Sequence, residues 1–151
     1  MHRSLGFSGQ FSVISNQQKV FGMSGEAARS VWDFDMFRRA YALSLEVHRQ
    51  TLTFPKIEQF GGLADQLRRS SKSICALFAE GFGRQRGSKI EFRRYLVMAI
   101  GSADEAQLWS RYAADLGYVE QSMAQSWAGE FSEIARMMQA LAGPRRSSSD
   151  H

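Results

Sequence analysis

Ser88 to Tyr118 reads SKIEFRRYLVMAIGSADEAQLWSRYAADLGY, and this stretch decides the fold. It contains no proline, and Ser88 stands three residues before Glu91. That spacing is a capping box, in which a serine hydroxyl accepts from the backbone near Glu91 and the glutamate reaches back. A helix is therefore predicted from Ser88–Lys89 to about Leu116, with Gly117 as its stop. One side of it carries Phe92, Leu96, Ala99, Ala103 and Ala106, and the alanines allow a neighbouring helix to approach closely. Val97, Met98, Leu108, Trp109, Tyr112 and Leu116 lie elsewhere on the same helix. A single bundle does not readily cover both sides, so self-association is expected. The alternative is that this helix is central, or that the N-terminal residues lie over it.

Three further helices flank this one. The first is predicted from about Asp35 to Thr53. Phe34, Phe37, Tyr41, Leu45 and Leu52 share a side, widened by Met36, Ala40, Leu43 and Val47. Asp33 or Asp35 caps its start, and Phe54-Pro55 ends it, because the residue before a proline is pushed out of the α region. The second is predicted from about Leu63 to Glu80, burying Leu63, Leu67, Ile74, Leu77 and Phe78 and ending at Gly81 and Gly83. The fourth runs from about Glu120 to Ala142, with Met123, Trp127, Phe131, Ile134, Met138 and Leu141 on one face and Gly143-Pro144 beyond its end. Four helices with short connections bury their stripes with least chain as an all-α, antiparallel, up-down-up-down four-helix bundle. Residues 33–143 form that bundle. Residues 1–32, rich in Ser, Gly and Gln, read as a loosely ordered extension, and residues 144–151 as a polar tail. Met23 just precedes the patterned region and is an alternative translation start to Met1; the intact mass of the natively expressed protein separates the two.

Composition narrows the function classes. With 151 residues the chain has room for one cored domain. A lone cysteine, Cys75, rules out an internal disulfide and favours a reducing cytoplasm. No apolar run approaches the ~18 residues of a membrane span. The formal charge of +4 permits an acidic partner without demanding one.

The cations are clustered: Arg68, Arg69, Lys72, Arg84, Arg86, Lys89, Arg93 and Arg94, with only Asp65, Glu80 and Glu91 as nearby acids. Near the turn between the second and third helices such side chains can hold phosphates, aided by the dipole of the following helix. The plainer reading is a solvated face. Nothing in the pattern reads bases. Gly81 to Gly87 is glycine-rich, but it follows a helix and lacks the Lys-Ser or Lys-Thr ending of a P-loop, so helix capping explains it better. Glu80 and Glu105 are not accompanied by Glu-x-x-His motifs, so no metal site is expected, and structural ion pairs or helix-end hydrogen bonds are the preferred role, with Arg84 near Glu80 and Arg94, Arg69 or a neighbouring subunit near Glu105. His48 is expected to be packed and hydrogen-bonded, and Cys75 to be a small buried thiol. No nucleophile, base and oxyanion site can be assembled from these residues, and neither catalysis nor a cofactor is expected.

Gln66-Leu67-Arg68-Arg69, Ala79-Glu80-Gly81, Phe92 to Leu96, Gly101-Ser102 with Glu105, and Leu116-Gly117-Tyr118 occur in an order and spacing that are specific together. Through them the chain, from Phe34 to Leu141, resembles the bacterial four-helix-bundle proteins of ribosomal RNA intervening sequences. It is also similar to the accessory proteins of diversity-generating retroelements. It departs from the pattern at Leu77-Phe78, where an Asn is usual, and at Cys75, where a proline is common. The resemblance implies a closed homopentameric ring and an accessory protein associated with RNA or DNA, working beside a reverse transcriptase or another protein partner. The expectation is a non-catalytic oligomer whose basic residues contact phosphate backbones. The competing expectation is a protein–protein interaction scaffold that binds no nucleic acid.

Overall fold

The computed structural model describes residues 27–85 and 87–144. Within them the chain is helical without strands: α1 spans Asp35–Thr51, α2 Leu63–Arg84, α3 Lys89–Asp115 and α4 Gln121–Ala142. Short 3-10 turns at Val31–Asp33 and Lys56–Glu58 precede α1 and α2. The expected extension and tail fall almost wholly outside the described residues.

Side-chain pairs fix the course of the chain. Between α1 and α2, Phe34 meets Phe82, Phe37 meets Phe78 and His48 meets Lys72. Numbers rise on one helix as they fall on the other, so the two are antiparallel. The same order relates α2 to α3, where Ser73 meets Ser102 and Gly81 meets Tyr95, and α1 to α4, where Arg39 meets Glu130 and Glu46 meets Trp127. The α2–α3 and α3–α4 interfaces are extensive, and the α1–α4 seam is the thinnest.

The core is aromatic at one end and alanine-lined along α3. Phe78 is fully buried, and the rings of Phe34, Phe37, Phe82 and Phe92 surround it, with centroids 5.1–6.4 Å away. Removing such a ring typically costs about 3–5 kcal/mol through lost transfer energy and cavity formation. Phe92, Leu96, Ala99, Ala103, Ala106 and Ala113 make the inward face of α3. Trp127 and Phe131 fill the space that the alanines leave. The buried Trp127 indole donates to Glu46 Oε1 at 3.0 Å, which removes the penalty of an unpaired N–H.

The helix ends differ from expectation in three places. Ser88 does accept from the Glu91 amide at 3.3 Å, but the Glu91 carboxylate lies towards Arg94, at 3.9 Å. Asp33 accepts from the Arg29 and Ser30 amides, one turn ahead of α1, whose own N-cap Phe34 offers no side-chain acceptor. The third concerns α2, which continues through Gly81 and Gly83 to Arg84. Gly81 is buried, and a Cβ there would meet Tyr95 Cβ at 2.5 Å. It is a point of close helix contact inside α2. Gly117, with φ of 78°, is a true stop, terminating α3 in the left-handed region.

The face of α1 is also turned from its expected position. Phe34, Met36, Phe37, Ala40, Leu43 and Val47 are buried, while Tyr41 is 43% and Leu52 60% exposed. The set containing Met36, Leu43 and Val47 is the true core stripe.

Candidate nucleic-acid interface

The basic residues occupy two separate regions. Arg68, Arg69 and Lys72 stand on the first half of α2, beside the last turns of α1. Arg84, Lys89, Arg93 and Arg94 gather around the α2–α3 turn, and Arg86 lies outside the described residues. Arg68 and Arg84 are separated by most of α2, roughly 24 Å at the helical rise. A small anion cannot reach both groups.

Most of these cations already have partners, and the partners fall into two kinds. Arg69 pairs with Asp65 at 3.1 Å, Arg84 with Glu80 at 3.1 Å and Arg94 with Glu91 at 3.9 Å. All three are one-turn pairs on exposed helix faces, each worth well under about 1 kcal/mol. Arg69 holds the Asp65 carboxyl below the usual carboxylate range. Glu80 Oε1 also accepts from Tyr95 Oη at 2.9 Å, which pushes the phenol up, and the Arg84 guanidinium lies 5.4 Å from the centre of that ring.

The other kind of partner is neutral. Arg68 donates to Gln59 Oε1 at 3.0 Å, to the Gln59 carbonyl at 2.5 Å and to Thr51 Oγ1 at 3.3 Å, which ties the α1–α2 connection down. Arg93 donates to the Ala142 carbonyl at 2.9 Å and so caps the end of α4. Lys72 Nζ lies 3.0 Å from His48 Nδ1. Their charges are not cancelled by these contacts.

His48 and Arg49 lie beside the first group of cations and were not singled out for it in the sequence. Both sit in the last turn of α1. Only the antiparallel register of α1 and α2 brings His48 to Lys72. Loss of hydration, then Lys72, Arg68 and Arg49, hold the His48 imidazole below its ordinary range.

The remaining polar candidates are structural. Glu105 accepts from Trp109 Nε1 at 3.0 Å, within its own helix, and not from Arg94 or Arg69. Burial raises the Cys75 thiol to about 11. Among the described residues there is no group of three or more His, Cys, Asp or Glu side chains placed to hold a metal ion. No described helix is long and apolar enough to cross a membrane.

The outward face of α3 is exposed among the described residues. Ile90, Val97, Met98, Leu108, Tyr112 and Leu116 are all 40% exposed or more. Leu108, Arg111, Tyr112 and Asp115 line a shallow depression of about 330 Å³ on it.

These features define a class: a small all-helical bundle with a divided cationic surface and one helix apolar on both sides. Residues 32–140 match the model of the 23S rRNA-intervening sequence protein family. The match spans most of the chain, which belongs to that family. A solved structure from Bacteroides thetaiotaomicron, described as a protein of unknown function from the S23 ribosomal protein family, is similar in fold. Its TM-score is 0.64 at 17% identity, over 72% of this chain and 99% of that one. No curated protein matches the chain.

Proposed function

We propose that this protein is a non-catalytic, oligomeric accessory factor that binds the phosphate backbone of RNA or DNA in the cytoplasm. One observation carries the reading. Arg68, Lys72 and Arg93 make their hydrogen bonds to neutral groups, which leaves their charge available to a polyanion. Arg69, Arg84, Lys89 and Arg94 add to the surface, and exposed one-turn ion pairs are weak enough to exchange for phosphates. Contacts of this kind position a backbone without reading sequence.

The oligomer in this reading is a closed homopentameric ring, supported by resemblance and by the exposed apolar face of α3. The same face favours a second reading, in which the assembly is a scaffold for another protein, a reverse transcriptase among the options, and the cations only solvate it. Binding to single- and double-stranded RNA and DNA across a salt series, with the oligomer mass measured on the same sample, separates the two. Affinity falling steeply with salt supports backbone contacts through counterion release. No binding at low salt by an assembled oligomer removes that reading and leaves the scaffold.

A further inference from the structure

We infer that His48 and Lys72, with Arg49 and Arg68 beside them, form a phosphate site at the α1–α2 seam whose grip tightens when His48 takes up a proton. The inference rests on the nucleic-acid reading above, and the ligand is a phosphodiester of a single strand.

The geometry is that of a cationic donor resting on a neutral acceptor. Lys72 Nζ and His48 Nδ1 are 3.0 Å apart. A lysine ammonium has donors only, so the imidazole must accept and is neutral at Nδ1. Arg68 is fixed beside the pair by Gln59 and by Thr51, which lies one turn after His48. Arg49 is exposed on the same turn of α1. The charged groups acting on the imidazole are Lys72 and Arg68 from α2 and Arg49 from α1, all cationic. The carboxylates of these elements are used elsewhere: Asp35 lies beside Arg38 and Arg39, Glu46 is turned to α4, where it accepts from Trp127, Asp65 is held by Arg69 and the Gly61 amide, and Glu80 by Arg84 and Tyr95.

A phosphate arriving here takes over the Lys72 ammonium and supplies the missing negative charge. That frees Nδ1 and stabilises the imidazolium, so His48 becomes a second donor to the same anion. Binding and protonation are then reciprocal: each must favour the other by the same factor. His48 is a positioning and charge-setting residue for this contact, and Lys72 is the constant cation.

The test uses the full-length protein and a labelled 20-residue oligouridylate, since uracil does not titrate between pH 7.5 and 5.5. Anisotropy titrations are run at both pH values over a salt series. Protonated His48 serves the phosphate that Lys72 already holds, so the log–log salt slope is expected to stay nearly constant while affinity rises. The wild type is expected to bind more tightly at pH 5.5, by up to about tenfold for each unit by which the phosphate raises the His48 midpoint. His48→Gln is expected to lose the acid gain, and Lys72→Met to bind more weakly at both pH values. Saturating oligouridylate is also expected to raise the His48 titration midpoint measured by NMR, a readout that a purely structural histidine does not move. An acid gain that persists in His48→Gln, or wild-type binding that ignores pH, overturns the inference and leaves the nucleic-acid reading standing. A wild type that binds at neither pH overturns both.

Discussion

A Cβ placed on Gly81 would sit 2.5 Å from Cβ of Tyr95, a distance that real side chains do not tolerate. The contact lies between α2 and α3, beside the Phe78–Phe92 ring pair. Gly81→Ala is therefore expected to destabilise the protein by about 1–3 kcal/mol through overpacking, although alanine is the better helix former. Gly83, two residues on, meets nothing within 4 Å. Gly83→Ala should be neutral or stabilising, by up to about 1 kcal/mol. Urea unfolding of the two variants checks the opposite signs.

Leu108 and Tyr112 are each 50% exposed and lie on the side of α3 away from its alanine face. In the oligomer proposed above, Leu108→Glu with Tyr112→Lys is expected to give smaller species while far-UV circular dichroism stays as in the wild type. Light scattering measures the mass. An unchanged mass would show that the assembly forms through another surface.

The α1–α4 seam is thin, and Arg39 spans it with a forked pair to Glu130, Nε–Oε1 at 2.7 Å and Nη2–Oε2 at 2.8 Å. Both side chains are about a third exposed, so solvent screens the pair. Arg39→Met should cost about 1 kcal/mol or less, and the loss should shrink at high salt. Denaturation midpoints at low and high ionic strength test this.

Acid acts on stability in two stages. The folded His48 has a pKa below its ordinary 6.5. As pH falls below 6.5 the unfolded chain binds the proton first, so the stabilisation present above that pH is lost as pH drops through the folded value. His48→Gln should flatten this decline in the absence of nucleic acid. Asp33, held down by the Arg29 and Ser30 amides, and Asp65, held down by Arg69, follow at lower pH. Their contribution is present above the ordinary carboxylate range and is lost as pH falls through their folded values. Urea midpoints from pH 7.5 to pH 3 reveal both stages.

Cys75 has its thiol raised from an ordinary 9.0 to about 11 by burial. At a pH well below either value the thiolate fraction drops about 100-fold, and alkylation by iodoacetamide should slow accordingly. The native rate compared with that in urea is the check.

The helices and the inward face of α3 were legible because periodicity and capping are local. Ser88 accepts from the Glu91 amide, Gly117 stops α3 and the alanine stripe is buried, as their spacing implies. Two misreadings share a physical origin. Gly81 has the chemistry of a helix stop, and only the approach of Tyr95 reveals it as a contact point. Tyr41 and Leu52 are as apolar as Met36 and Val47, and the choice between the two stripes depends on which side α2 and α4 occupy. The cationic surface was legible as a composition but not as an arrangement. Sequence order merges Arg68 with Arg84, which α2 holds far apart, and separates Lys72 from His48, which the antiparallel register brings together.

Phe34, at the start of α1, packs on Phe82, and Ala142, at the end of α4, is held by Arg93. Phe82 and Arg93 flank the same α2–α3 turn, so both ends of the bundle open on one side of the molecule. A circular permutant can therefore join residue 144 to residue 30 through a short linker. Its new termini can be cut at the exposed tip around Ile57 and Phe60, at the opposite end. Such a chain would keep all four helices in register while reversing the end of the bundle from which fused domains emerge.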